Sequence, residues 1–165
     1  MSIYSVSVRR ATATDAPALA ALINDAYTVE QFFVDGQRTN AGEIANLVAA
    51  GTFLVVEQDD GTLAAAVYLQ ERGEGAYLGM LSVAKTAQGH GLGTRLVGCA
   101  EALAEALGCR WVDLKIVNLR EELGRWYRSL GYAETGTSPY THRAVKRPCH
   151  FVEMRKELRR AAAAA

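Results

Sequence analysis

The chain has no excess of either charge: Lys and Arg total 18, Asp and Glu total 18, and the formal net charge is zero. A protein that grips nucleic acid through its phosphates shows a basic excess or a basic stripe. The basic cluster here, Arg155, Lys156, Arg159 and Arg160, lies in the last stretch and reads as a solvated tail, so no nucleic-acid partner is expected. No apolar run approaches the roughly 18 residues of a membrane span. The start, Met1-Ser2-Ile3-Tyr4-Ser5-Val6, lacks the basic and apolar stretches of a secretory leader, so neither a membrane nor an export signal is expected. Cysteine is scarce. Cys99, Cys109 and Cys149 have no metal-ligand spacing and leave one thiol over if two pair, which predicts no metal and a reducing cytoplasm. Cys99, in a helical pattern, and Cys109 just after it read as small core or near-core residues.

What is present is ordinary for a globular domain: 165 residues, 50% hydrophobic and 22% charged, with no repeat and no linker. Val6 and Val8 alternate with polar neighbours as a first strand. Thr14 or Asp15 can cap the next helix, with Pro17 in its first turn and Leu19, Leu22, Ile23 and Ala26 on its face. The stretch from Tyr27 to Arg38 has no clear period. Asn40 and Glu43 form a capping-box pattern before Ile44, Leu47 and Val48, and Gly51 ends that helix.

The period then changes. Thr52 to Glu57, Leu63 to Leu69 and Tyr77 to Val83 read as strands joined by the short turns Asp59-Asp60-Gly61 and Arg72-Gly73-Glu74-Gly75, hence as antiparallel neighbours. Leu96, Val97, Ala100, Leu103, Ala104 and Leu107 mark a helix that leads to a strand through Val112, Leu114 and Ile116, a right-handed crossover between parallel strands. Leu119, Leu123, Trp126, Tyr127 and Leu130 form another helical stripe, closed by Gly131. Tyr132 to Thr135 and His150 to Arg155 read as the last strands, and the Ala161 to Ala165 run as a frayed end.

The segment Leu81-Ser82-Val83-Ala84-Lys85-Thr86-Ala87-Gln88-Gly89-His90-Gly91-Leu92-Gly93-Thr94-Arg95 concentrates the chemistry. A strand runs into three alternating glycines and a helix starts at once. Glycine admits positive φ and removes the Cβ that would block an anion. The free N–H groups of a helix's first turn carry partial positive charge. The pattern therefore reads as a pyrophosphate cradle, with a plain tight turn as the alternative. A P-loop would need Lys then Ser or Thr after its last glycine, but Gly93 is followed by Thr94-Arg95. The dinucleotide fingerprint fails at Leu96 counted from Gly91, and at Thr94 counted from Gly89.

Gln88-Gly89-His90-Gly91-Leu92-Gly93 does match Q/R-x-x-G-x-G/A, and here the sequence resembles the GNAT acetyltransferases over nearly its whole length. Leu81-Ser82-Val83 is similar to the strand end before that motif. Trp126-Tyr127-Arg128-Ser129-Leu130-Gly131-Tyr132 is similar to the later Y-x-x-L-G-F/Y segment. Asn118 to Leu123 and Arg147-Pro148-Cys149-His150-Phe151 look like a microbial branch of the family.

The resemblance implies a mixed α/β (α+β) fold: one domain over residues 1–158 and a tail over 159–165. Its mostly antiparallel sheet of about seven strands would hold a splayed parallel pair, Tyr77 to Val83 and Trp111 to Val117, beside about four helices. It implies acetyl-CoA as cosubstrate and an amine as acceptor, with homodimers common in the family. Backbone groups of Leu81 and Val83 would meet pantetheine. Ser82, Gln88, Gly89, His90, Gly91, Leu92, Gly93, Thr94, Arg95 and Asn118 complete the implied coenzyme-binding set, and Tyr127 stands at the general acid's position.

The chain departs from the family pattern twice. Many members carry Asn seven residues before the tyrosine, where this chain has Arg120, and several carry Glu four residues before the position of Val83, where it has Gly79. That leaves Glu30, Asp35, His142, His150 or a water chain as base. The irregular segments Tyr27 to Arg38 and Ser138 to Arg147 are where specificity is expected, with Tyr27, Glu30, Phe32, Phe33, Tyr140 and His150 as substrate-side candidates. A non-catalytic acyl-CoA-binding regulatory module, or an enzyme for another acyl-CoA or acceptor, is the alternative.

Overall fold

The computed structural model describes residues 6–159. The end of the tail, from Arg160 through the alanine run, lies outside the described residues, as does the start before Val6. Seven strands form one sheet: β1 (Val8–Arg10), β2 (Thr52–Glu57), β3 (Leu63–Arg72), β4 (Gly75–Val83), β5 (Trp111–Val117), β6 (Ala133–Pro139) and β7 (His150–Glu157). Their order is β1-β2-β3-β4-β5-β7-β6, and only β4 and β5 pair in parallel. The described residues also form α1 (Ala16–Ala26), α2 (Ala41–Ala50), α3 (Leu92–Ala106) and α4 (Glu121–Ser129).

The central strands are apolar on both faces because helices cover both. On one face Leu54, Val56, Ala65, Val67 and Leu69 pack with Leu96, Val97 and Ala100 of α3. On the other, Phe53, Val55, Ala66 and Tyr68 pack with Leu19 and Ile23 of α1 and Ile44 of α2. Each fully buried leucine or isoleucine contributes about 2 kcal/mol. β2 and β3 therefore read as continuous hydrophobic runs, as strands buried on both faces do.

Two features of β4 shape the site. First, β3 and β4 pair as Ala66↔Ser82 and Tyr68↔Gly79, so β4 carries one extra residue, a bulge at Met80 and Leu81. Met80 has φ 53, and the Ser82 hydroxyl donates to the Met80 carbonyl at 3.1 Å. Second, the parallel ladder holds only Ala76↔Val112 and Tyr77↔Asp113. Beyond it, β4 runs on to Val83 and β5 to Val117 without pairing, while β5 pairs with β7 along its whole length. The sheet opens there as a wedge.

Several local expectations shift. The first strand is Val8–Arg10, with Val6 buried just ahead of it. Asp15 does not cap α1 with its side chain; its carboxylate takes the Thr12 N–H at 2.7 Å and pairs with Arg9 at 2.9 Å. Asn40 caps α2 as expected, accepting from the Glu43 N–H at 2.9 Å. Gly51 ends α2 in extended form, and its missing Cβ leaves room for Tyr68, whose hydroxyl donates to the Leu47 carbonyl at 2.9 Å. α4 begins at Glu121, so Leu119 falls outside it and packs with Phe33, Val34, Val117 and Phe151. The last strands run longer than expected, to Pro139 and Glu157.

Candidate active site

The chain leaves β4 through a 3-10 turn at Lys85–Ala87 and reaches α3 by way of Gly89 and Gly91, whose φ values of 83 and 74 demand glycine. Gly91 is the N-cap of α3, and the Arg95 N–H is the first to find a helical acceptor, Gly91 O at 3.0 Å. The amides of Leu92, Gly93 and Thr94 are thus free at the positive end of a 15-residue helix. Gly93 faces α4: a Cβ there would lie 3.5 Å from the Trp126 ring, an ordinary packing distance. His90, Thr94 and Arg95 are exposed, and Gln88 folds back with its amide 3.4 Å from the Val83 carbonyl.

From this loop a cavity of about 410 Å³ extends along the wedge. Leu81, Ser82, Val83, Gln88 and Gly93 line it, and so do Tyr27, Glu30, Arg38, Tyr140 and His142. Tyr127 lines it too. It is 5% exposed and stacks edge-on against Trp126 and Tyr132, at centroid distances of 4.8 and 5.6 Å. Its hydroxyl makes no hydrogen bond among the described residues. Burial raises its pKa well above the ordinary phenol value, and the nearby Tyr27 and Tyr77 add to the rise. The phenol therefore rests protonated at neutral pH.

With that geometry in place, the sequence matches the acetyltransferase (GNAT) domain over residues 49–134. This chain belongs to the GNAT acetyltransferase family. Comparison with curated proteins finds no match. Among solved structures it is similar to a GNAT phosphinothricin acetyltransferase from Sinorhizobium meliloti in complex with AcCoA, at 16% identity and a TM-score of 0.76, covering 98% of this chain and 92% of that one. It is also similar to the ribosomal-protein-S18-alanine N-acetyltransferase from Escherichia coli, at 20% identity and TM-score 0.73 over 97% and 98%. The ribosomal-protein-alanine N-acetyltransferase from Brucella melitensis gives 23% and 0.75 over 92% and 99%. At such identities these likenesses establish the shared fold.

In this GNAT domain the irregular segments meet at Glu30. The residue is 5% exposed, at the end of a 3-10 turn over Tyr27–Glu30. Arg120, at the N-cap of α4, donates to its Oε2 at 3.0 Å, and Arg143 donates to its Oε1 at 3.2 Å. Arg120 also holds Glu122 at 2.6 Å, and Arg143 reaches the Gly36 carbonyl at 3.1 Å and the Tyr140 hydroxyl at 3.3 Å. Burial pushes the Glu30 carboxyl up, against the opposing pull of Arg120 and Arg143. Tyr27 is raised to about 12, chiefly by burial. His142 is held below the ordinary histidine value, first by burial and then by Arg38 and Lys115.

The remaining sequence candidates lie elsewhere. Phe33 is fully buried with Val34, Val117 and Phe151. Phe32 is 46% exposed, with the Arg147 guanidinium 5.6 Å from its ring centroid. Asp35 is exposed and pairs with Lys146 at 3.4 Å. His150 is exposed; its N–H donates to Asn118 Oδ1 at 2.8 Å, while the Asn118 N–H donates to the His150 carbonyl at 2.9 Å. The Asn118 carboxamide therefore ties β5 to β7, and none of these five lines the cavity. Sequence reasoning passed over Tyr77 and Trp126 on its wall, and reached Arg38, and Arg143 behind Glu30, only as members of the two irregular segments. Arg120 did leave a signal, as a charged residue where many family members carry Asn.

Proposed function

We propose that this GNAT domain transfers the acetyl group of acetyl-CoA directly to an amine. The observation that carries the reading is one cavity joining the β4–β5 wedge, the glycine loop and Tyr127. The residues fit the donor. A Cβ built on Gly89 or Gly91 meets no atom within 4 Å, so the N-terminus of α3 is open to a diphosphate. The amides from Gln88 to Thr94 would hold that group, and the stretch of β4 unpaired towards β5 would offer the Leu81 and Val83 backbone to pantetheine. The described cysteines are unpaired, in keeping with a cytoplasmic setting.

Acetyl-CoA supplies an acyl group already activated as a thioester. The protein's part is to orient the two reactants and move protons. The amine nitrogen forms a bond to the carbonyl carbon as the C–S bond breaks, and the Tyr127 hydroxyl gives its proton to the departing sulfur, then regains one from solvent. The proton leaving the amine goes to His142, whose depressed pKa keeps its imidazole neutral, directly or through one water. Glu30, held by two guanidiniums, shapes the cavity instead of accepting that proton.

Tyr127→Phe is expected to lower kcat by about 10²-fold, at the weaker end for a general acid, with acetyl-CoA affinity unchanged. Turnover at the wild-type rate, with chemistry shown to be limiting, removes Tyr127 from the mechanism. Bound acetyl-CoA with no thiol release for any amine would instead indicate an acyl-CoA-binding module.

A further inference from the structure

Four side chains that carry charge at neutral pH line the cavity: Glu30, Arg38, Lys115 and Arg120. The carboxylate among them is taken by Arg120 and Arg143, at 3.0 and 3.2 Å. Arg120 is further held by Glu122 at 2.6 Å, and Lys115 faces Glu153 at 3.8 Å. Arg38 has no such partner. Among the described residues its guanidinium makes no ion pair and no hydrogen bond; it lies 5.5 Å from the centroid of the Tyr27 ring. It is half-buried, and its charge reaches three neighbours, opposing the burial-driven rise at Tyr27 and Glu30 and adding to the fall at His142.

A wall of this kind selects. Its carboxylate is neutralised twice over, so a polycationic acceptor meets repulsion and finds no counter-charge. An acceptor with its own oxyanion finds a guanidinium whose planar donors suit a carboxylate in two-point contact. The same positive charge helps the reaction. A bound ammonium must lose a proton before it can attack, and a neighbouring cation lowers its pKa. The cavity of about 410 Å³ must also take the thioester end of the donor, which leaves room for an acceptor of amino-acid size.

We infer that the acceptor is a small amine that also carries a carboxylate or another oxyanion, and that Arg38, stacked near Tyr27, is the residue that binds this anion. The inference rests on the acetyl-transfer reading above. It commits that reading to one substrate class and sets aside polyamines and other polycations.

The test follows thiol release from acetyl-CoA with L-amino acids of acidic, neutral and basic side chain, each beside its carboxamide, and with spermidine. At least one free acid is expected to show kcat/KM about tenfold or more above its carboxamide and above spermidine. Arg38→Gln is expected to raise the KM for that acid about 10- to 100-fold with little change in kcat, bringing the acid-to-carboxamide ratio close to one. Arg38→Lys, which keeps the charge, recovers part of the preference.

Three results overturn the inference. One is spermidine or a carboxamide used as well as the acid; another is Arg38→Gln slowing acid and carboxamide equally. The third is no free acid either acetylated or bound, by calorimetry, to protein saturated with CoA. Acetyl-CoA binding on the same preparation separates the two claims. If acetyl-CoA does not bind, the transfer reading falls and takes this inference with it. If it binds and amines are acetylated without regard to their charge, only the inference falls.

Discussion

Replacing Gly91 by alanine tests the loop, provided that backbone strain is measured apart from lost binding. Helix α3 supplies its own control, because Gly91 at its start and Gly108 just past its end share a left-handed backbone, with φ 74 and 82. A Cβ at either position meets nothing within 4 Å, so neither substitution creates a clash in the free protein. The left-handed conformation costs an alanine about 1–2 kcal/mol, offset by roughly 0.4–1 kcal/mol from its stiffer unfolded chain. Both variants should therefore lose about 1 kcal/mol in urea unfolding, or about 2–4 °C in Tm for a domain of this size. Binding separates them. At Gly91 the methyl enters the space in front of the free amides, and acetyl-CoA affinity by calorimetry should fall at least about tenfold, or ~1.4 kcal/mol. At Gly108 it should not change. Equal affinities in two folded variants would mean that the anion does not sit at this helix terminus.

Two further outcomes follow from the acceptor end of the cavity. Glu30→Ala leaves Arg120 and Arg143, whose side chains are 16% and 10% exposed, without their shared carboxylate. Breaking a buried pair costs about 3–5 kcal/mol. Because Glu122, Tyr140 and the Gly36 carbonyl still hold the two guanidiniums, the low end of that range is expected in thermal unfolding, with a smaller loss for Glu30→Gln. As the proposed proton acceptor, His142 would act as the neutral imidazole, and its pKa is lowered from 6.5. Activity is therefore expected at and above the ordinary histidine pKa, with loss as pH falls through the depressed value. His142→Gln should remove this acid limb from the kcat/KM profile and lower the plateau about 10²-fold. An unaltered limb would assign the titration to another group.

Much of this fold was legible because its signals are local. The apolar runs of β2 and β3, the capping pair Asn40 and Glu43, and the spacing of Gly89, Gly91 and Gly93 each report on a few neighbouring residues. Tyr127 was singled out in the same way, through a short motif in a helical stripe, and the structure puts it on the cavity wall. What escaped depends on partners far apart in the chain. Glu30 meets Arg120 across 90 positions and Arg143 across 113, and no periodicity links them. The bulge at Met80 exists because β3 and β4 fall out of register by one residue, which composition does not reveal. Leu119 fits the helical period, but the chain turns at Arg120, with φ −97 and ψ 64, and α4 starts after it. Asn118 entered the coenzyme-binding set through the family resemblance, and His150 stood among the base and substrate-side candidates. Here the Asn118 carboxamide joins β5 to β7.

The most direct measurement compares acetyl-CoA with S-acetylpantetheine, which keeps the thioester and the pantetheine arm but lacks the nucleotide and its diphosphate. Titrated calorimetrically into the same protein, acetyl-CoA is expected to bind at least about tenfold more tightly, because the free amides at the start of α3 meet its phosphates. Equal affinity for the two, or no binding of acetyl-CoA at millimolar concentration, would contradict the claim that this loop anchors the acetyl donor.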